Sequence, residues 1–512
     1  MLFLRLTKSV GRKLATIGRT SNSVIACTCY CIVFTQKLNM KTLLIIVSII
    51  FTGLGVSKPL KHEKAITFIA GDEQTVAAYQ GVFHVTENRK SNSGKTIPLH
   101  YVRFPSTSKS PGKPIVYLAG GPGGSGIATA KYRRFELFMA MREVADVIAF
   151  DQRGTGDSNT LPECKTEQHL PSDQPISDEQ YITLNQKALK SCFAFWRNQG
   201  IDYAAYTTPE SVADLDDLRI HLNADKISLW GISYGSHLAL AAMKTMGDKL
   251  HKVIIASAEG LSQTIKYPAR TDAYFTRLEK ALNDQSKTID TAINIKSLMR
   301  RVHDKLDTQP LMISWQEEGQ QINHYLQARN MKQIASAMIS DPARAQQMLM
   351  FYHTVDAGLT GPITEVIKEY FNPQEPIKFR LMSSVMDLAS GISPSRRTVI
   401  EKQAQSALLG GFLNFSLYFS DLAYELNLDL GEAFRKEVTS DVPTLLLSGT
   451  LDGRTYIESQ HEAVAQLSDV TKITVKNAGH NLFKSSPKVI ETMLQFMRDE
   501  PIKEHVIVVD LD

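Results

Sequence analysis

The sequence of 512 residues predicts a doubly wound α/β fold, a mostly parallel sheet into which a helical block is inserted late. Three observations lead there. Short apolar β-type runs alternate with helical stretches from Pro114 to Ala256, as in parallel strands joined by crossover helices. The alternation stops between about Leu261 and Val438, where the chain reads mainly helical and rich in Met and aromatics. It resumes at Thr444–Leu447 and continues nearly to the end.

Each element has its own signal. Gln80–Glu87 and Thr96–Phe104 are β-type runs around the turn-rich stretch Asn88–Lys95, which predicts a hairpin. Pro114–Leu118 and Val147–Phe150 read as short buried strands, with a helix over Ala128–Val144 between them. Ser211–Leu222 is a helix, Ile227–Trp230 a strand, Tyr234–Lys244 a helix and Val253–Ala256 a strand. After the insert come Thr444–Leu447, the helical Ile457–Leu467, the strand Ile473–Val475 and the helical Val489–Arg498. The expected organisation is a leader over residues 1–57, core over 58–260, a helical cap over 261–440 and core again over 441–512. In such sheets ligands bind outside the carboxyl ends of the strands, which the cap would cover.

Composition bounds the function. Hydrophobic residues make up 43% and charged residues 21%, ordinary for a globular protein. The net charge of +4 belongs to the leader: residues 1–57 hold seven Lys/Arg and no acid, so the remainder is slightly acidic. Nothing here points to nucleic acid. Within the leader, Met40 and Lys41 precede an apolar run from Leu43 to Leu54 and then Gly55-Val56-Ser57. This is the pattern of a signal peptide cut after Ser57, with Met40 as the start. The run is shorter than the ~20 residues of a membrane span, so no stable span is expected in the mature chain. An uncleaved anchor and an organellar transit segment are the alternatives. Cys27, Cys29 and Cys31 would leave with the leader. The remaining pair, Cys164 and Cys192, sits in a chain that reads as exported, where a bridge between them is expected. Two separate buried thiols are the alternative.

The strongest chemical signal is Gly231-Ile232-Ser233-Tyr234-Gly235, after a strand and opening a helix. A serine at so sharp a turn is pushed out at the top of the sheet, and flanking side chains would collide. A serine nucleophile needs a base, and the base an orienting acid. Asp452 and His480 each follow a late strand, in the order Ser, Asp, His. The Gly-rich stretch Ala119–Gly126 has two readings. Gly121, Gly123 and Gly126, with Asp151 after the next strand, match a dinucleotide fingerprint in form. As an oxyanion hole, the same loop presents the N–H of Gly121 beside that of Tyr234. The second reading also uses Ser233, Asp452 and His480.

Gly120-Gly121-Pro122-Gly123, Asp151-Gln152-Arg153-Gly154-Thr155-Gly156-Asp157-Ser158 and Gly231-Ile232-Ser233-Tyr234-Gly235 together resemble the prolyl and tripeptidyl aminopeptidase family of α/β-hydrolases, over roughly residues 80–260 and 440–500. The resemblance implies an α/β-hydrolase fold under a helical cap, and a serine exopeptidase that releases one or a few residues from peptide N-termini. It implies no metal and no organic cofactor. The cysteine pair resembles the secreted tripeptidyl branch. The sequence departs from the family at Ala119, where many members have His, and at Gly453-Arg454-Thr455, where many have a Pro-bearing turn. An aminopeptidase needs a carboxylate for the substrate's ammonium. Glu259 is the first candidate, with a salt bridge at the hinge of the cap or an alternative orienting acid for His480 as its plainer readings; Asp272 and Asp356 are weaker ones. The rivals are an esterase acting on small esters or lipids and a catalytically silent binding protein.

The leader reading predicts that N-terminal sequencing of the exported protein finds a first residue at or near Lys58. An intact Met1 or Met40 on the mature protein contradicts it.

Overall fold

The computed structural model describes residues 58–285 and 293–511. The expected leader and its three cysteines lie outside the described residues.

In chain order the strands are β1 (Glu63–Ile69), β2 (Thr75–Thr86), β3 (Thr96–Phe104), β4 (Ile115–Leu118), β5 (Val147–Phe150), β6 (Cys164–Lys165), β7 (Ile227–Ile232), β8 (Leu250–Ala256), β9 (Leu311–Glu317), β10 (Gln320–Leu326), β11 (Lys378–Phe379), β12 (Thr444–Gly449), β13 (Val470–Lys476) and β14 (Val506–Val508). Ten of them form one sheet in the order β1-β2-β3-β5-β4-β7-β8-β12-β13-β14. From β5 to β14 every pairing is parallel, whereas β1, β2 and β3 form an antiparallel flank that joins through β3. β4, β5, β7 and β12 are buried at every residue, because helices cover both faces. One face packs under the helices Asp178–Asn198, Thr208–His221 and Tyr234–Met246. The other packs under Gly126–Tyr132, Phe135–Met141 and Pro487–Met497.

Several elements differ from the sequence expectation. The helix expected over Ala128–Val144 is two, Gly126–Tyr132 and Phe135–Met141. Arg133 and Arg134 both direct their N–H groups to Thr129 O at 3.0 Å, which ends the first helix. Arg134 then turns inward, with its guanidinium against Tyr117 and Phe483. Strand β1 was not expected; its Glu63 accepts from Arg103 Nε of β3 at 2.8 Å. The helix Asp178–Asn198 was also missed, although Ser177 and Gln180 form a capping box at its start.

Between β8 and β12 the chain is mostly helical, with the hairpin β9–β10 within it. Its first part, together with Leu408, Leu409 and Leu413, builds a hydrophobic core of its own, which also takes in Leu451 and Tyr456 from beside β12. Its later part, including Leu381, Met382, Val385, Met386, Leu422 and Leu428, joins the sheet's own core.

Cys164 and Cys192 are bonded to each other, 28 residues apart in sequence. The bridge ties β6, which pairs with β11 of the insert, to the helix Asp178–Asn198. Closing a loop of this length stabilises the chain by ~3–4 kcal/mol on chain-entropy grounds. Denaturant unfolding of a Cys164→Ala/Cys192→Ala variant is expected to show a loss of that order, and thiol titration of the unreduced, unfolded protein to find neither sulfur free.

Candidate active site

Ser233 follows β7 directly and carries φ 56° and ψ −127°. For a residue with a Cβ this backbone is strained, and such strain collects where a side chain must be aimed. The turn is held by Ser236 N–H donating to Ser233 O at 2.8 Å and by Ser233 N–H donating to Ala256 O at 3.2 Å. The glycine after it is required by close approach. A Cβ on Gly235 would lie 2.1 Å from Leu118 O, a backbone atom of β4 that cannot yield.

The Gly-rich loop sits against the serine: a Cβ on Gly120 would be 3.7 Å from Ser233 Oγ. Gly121 has φ 137° and a cis bond to Pro122, and Gly124 N–H closes the turn onto Gly120 O at 3.1 Å. Tyr234 opens the helix Tyr234–Met246, so its N–H lies in the first turn, where helical N–H groups lack intrahelical partners. Its phenol is buried and shares a hydrogen bond with Thr208 Oγ1 at 2.8 Å. Asp151 braces this loop. Its Oδ1 accepts from Ser125 Oγ at 2.6 Å and from Ile127 N–H at 3.0 Å, and its Oδ2 from Asp157 N–H at 2.8 Å. An acid so engaged is not offered to a ribose, which removes the dinucleotide reading. Arg153 is buried two residues on and clamps Asp214 from Nε at 2.7 Å and Nη2 at 2.6 Å.

Asp452 and His480 meet beyond the carboxyl ends of β12 and β13. His480 Nδ1 lies 3.1 and 3.0 Å from the two carboxylate oxygens. Asp452 has no exposed surface. Its Oδ1 also accepts from the N–H groups of Arg454 at 2.8 Å and Thr455 at 2.9 Å. Its Oδ2 accepts from Thr455 Oγ1 at 2.7 Å and Gln460 Nε2 at 3.3 Å. Burial alone would push this carboxyl up, but the adjacent imidazole and the Thr455 donors outweigh it and hold it below the usual range. An ionised carboxylate on this side favours the tautomer that donates from Nδ1. From β8, Ser257 Oγ donates to His480 O at 2.9 Å, tying the histidine loop to the strand beside the serine. Ser233, Asp452 and His480 thus follow β7, β12 and β13, with β8 between the first two strands.

Glu259 leaves β8 toward the insert and is ion-paired with Lys266 at 3.1 Å. Burial works against its charge, but Lys266, then His237 and Arg454, keep its carboxyl below the usual range. Asp272 accepts from Leu408 N–H at 3.1 Å, and Asp356 is paired with Arg301 at 2.6 Å. The acid that sequence reasoning missed is Asp387, on the insert helix Leu381–Ser390. Among the described residues its carboxylate has neither hydrogen bond nor ion pair. Burial, and then the charge of Glu259, push it up to about 6. Met382 and Ser383 of the same helix lie over Gly123. No local motif marks Asp387; only the fold brings it beside Glu259. Among the described residues no group of three or more His, Cys, Asp or Glu is arranged to hold a metal.

Residues 113–301 match the family described as "alpha/beta hydrolase fold", and residues 430–506 match "TAP-like protein". The α/β-hydrolase fold is thus shown, and the relatives below support the prolyl and tripeptidyl aminopeptidase family within it. The chain is 29% identical over 157 residues to a probable proline iminopeptidase of Leptolyngbya boryana, covering 31% of this chain and 35% of that one. It is 26% identical over 166 residues to a tripeptidyl aminopeptidase of Streptomyces lividans, covering 31% of each. It is 27% identical over 171 residues to the serine protease Hip1 of Mycobacterium tuberculosis, covering 32% of this chain and 33% of that one. This α/β-hydrolase therefore spans about a third of the length of the curated relatives it matches.

The close approach at the elbow makes a direct prediction. Gly235→Ala is expected to cost at least the ~1–3 kcal/mol of an overpacked core, read as a lower thermal unfolding midpoint, because Leu118 O belongs to the sheet backbone.

Proposed function

We propose that the protein is a serine hydrolase, an exported aminopeptidase releasing one or a few residues from peptide N-termini. The observation that carries this reading is the buried Asp452 carboxylate on His480 Nδ1, in a chain that also holds Ser233 in a strained elbow against a Gly-rich loop. In this mechanism Ser233 Oγ attacks the scissile carbonyl while His480 Nε2 takes its proton. The N–H groups of Gly121 and Tyr234 receive the oxyanion, each such donor being worth roughly 10²–10³ in rate. The intermediate collapses to an acyl-Ser233, and His480 returns the proton to the leaving amine. Water, activated by the same nitrogen, then releases the acid and restores the serine.

Asp387 and Glu259 support recognition of an ammonium. A charged amine entering a poorly solvated pocket loses hydration unless a carboxylate meets it. Among the described residues Asp387 has no hydrogen-bond or ion-pair partner, and Glu259 adds negative potential beside it although Lys266 offsets part of its charge. Export is supported by the Cys164–Cys192 bridge, since disulfides persist in oxidising compartments. No helix among the described residues is long and apolar enough to cross a membrane. One observation favours the esterase alternative: Lys266 already occupies Glu259, so the acid named first from the sequence is not waiting for an amine.

A comparison of free-amine peptides, N-blocked peptides and a small neutral ester tests the reading. Ser233→Ala is expected to lower kcat on every substrate by about 10⁴-fold or more; near-normal turnover in that variant sinks it. Asp387→Asn is expected to raise KM for free-amine peptides and to spare the ester. In the unmodified protein, Asp387 gains its charge as pH rises through about 6. KM for free-amine peptides should therefore fall between pH 5 and 7, while KM for the ester stays flat. A KM shift shared by both substrates removes amine recognition from the proposal.

A further inference from the structure

The insert helix Ala328–Met338 ends against the acid and histidine loops. The last carbonyls of a helix have no partner within it. Here the two loops supply several. Arg454 donates from Nη1 to Ser336 O at 2.9 Å, Gly453 N–H donates to Ile339 O at 3.0 Å, and His480 N–H donates to Ser340 O at 2.7 Å.

The next residue, Asp341, is the N-cap of the helix Pro342–Asp356. An aspartate in that position ordinarily accepts an N–H of its own first turn. Asp341 makes no such bond. Its Oδ1 accepts from the N–H of Asn481 and its Oδ2 from the Asn481 side-chain amide, each at 3.1 Å. Asn481 directly follows His480, and its own Oδ1 accepts from Arg134 Nη2 at 3.2 Å. The contact is also tight. A Cβ on Gly453 would lie 2.1 Å from Ile339 O, and one on Gly479 2.7 Å from both Asp341 Cα and Ser340 O. Leu451 and Tyr456, on either side of Asp452, are buried in the insert's own core.

We propose that Asp341 is a positioning residue for His480, and that Ile339–Asp341 is a clasp by which the insert holds the acid and histidine loops in register. The proposal rests on the triad reading above. It makes the insert part of the catalytic framework at this edge. An insert that lifted here would break the bonds from the N–H groups of Gly453, His480 and Asn481 and would loosen the backbone that carries the imidazole.

The test uses the full chain with Asp341→Ala, Asn481→Ala, the double variant and Asp341→Asn. Kinetics and the rate of fluorophosphonate labelling at Ser233 are measured well below each unfolding midpoint. Asp341→Ala is expected to lower kcat by about 10- to 100-fold, the cost of a small misplacement of a catalytic group. KM should stay unchanged, and labelling should slow in parallel. Because the two side chains act on each other, the double variant should lose no more than the worse single one. Asp341→Asn should recover much of the rate, since its amide oxygen still accepts one Asn481 donor. An unchanged kcat in Asp341→Ala overturns the proposal, as do additive losses in the double variant or a loss shared equally by kcat and KM. If Asp341→Ala does not fold, Asn481→Ala decides, and a wild-type kcat there overturns it. If the unsubstituted protein is not labelled at Ser233, the functional reading fails by itself. The clasp is then judged by the nuclear magnetic resonance signal of the His480 ring, which Asn481→Ala shifts if the clasp holds and leaves in place if it does not.

Discussion

A carboxylate without solvent is the constraint around which the carboxyl ends of β12 and β13 are arranged. Removing an ion from water carries an effective penalty of several kcal/mol, and taking away one partner of a buried pair costs about 3–5 kcal/mol. Asp452 meets that demand with two backbone N–H groups, the Thr455 hydroxyl, the Gln460 amide and the His480 ring. The loop after β12 must therefore wrap back on itself, and Gln460 reaches in from the middle of the helix Ile457–Ala463. His480 is one of the partners, so its tautomer and aim follow from satisfying the charge.

The parallel sheet supplies the placement. β4, β7, β8, β12 and β13 are neighbours in it, and the Gly-rich loop, Ser233, Glu259, Asp452 and His480 each follow one of those strands. No long-range search is needed to bring them together once the strand order is set. The close packing that sets it is visible at Gly235 against Leu118 O. A second buried charge, Arg153 with Asp214, fixes the Asp151–Ser158 loop to the helix Thr208–His221, and Asp151 in turn holds the Gly-rich loop. Support for the Gly-rich loop thus comes from within the sheet and its helices. Support for the loops of Asp452 and His480 comes partly from the insert.

The insert has two characters. Up to Phe371 it packs mainly on itself, with Leu408, Leu409, Leu413, Leu451 and Tyr456, whereas Leu381, Met382, Val385, Met386, Leu422 and Leu428 join the core of the sheet. It brings Asp387 near Glu259 and Asp341 onto Asn481, and neither stands in a recognisable pattern. Both owe their place to contacts more than one hundred residues away in sequence, as the Asp341–Asn481 pair does across 140.

By itself the sequence determined what is written locally. Strand–turn–helix context marked Ser233, the ends of two late strands marked Asp452 and His480, and a break in strand–helix alternation marked the insert. These signals survive translation into a single chain because the steric demand at an elbow and the burial of a parallel strand act over a few residues. Tertiary structure decided the rest. The edge strands β1 and β14 are recognisable only by their partners, and the split of the expected Ala128–Val144 helix follows Arg134 reaching toward Tyr117 and Asn481. Whether Glu259 stood free or paired depended on Lys266, and which acid remained unpartnered among the described residues depended on how the helix Leu381–Ser390 docks. Charge pairing and helix capping between distant segments are settled by distance in space, and a linear pattern carries no record of it.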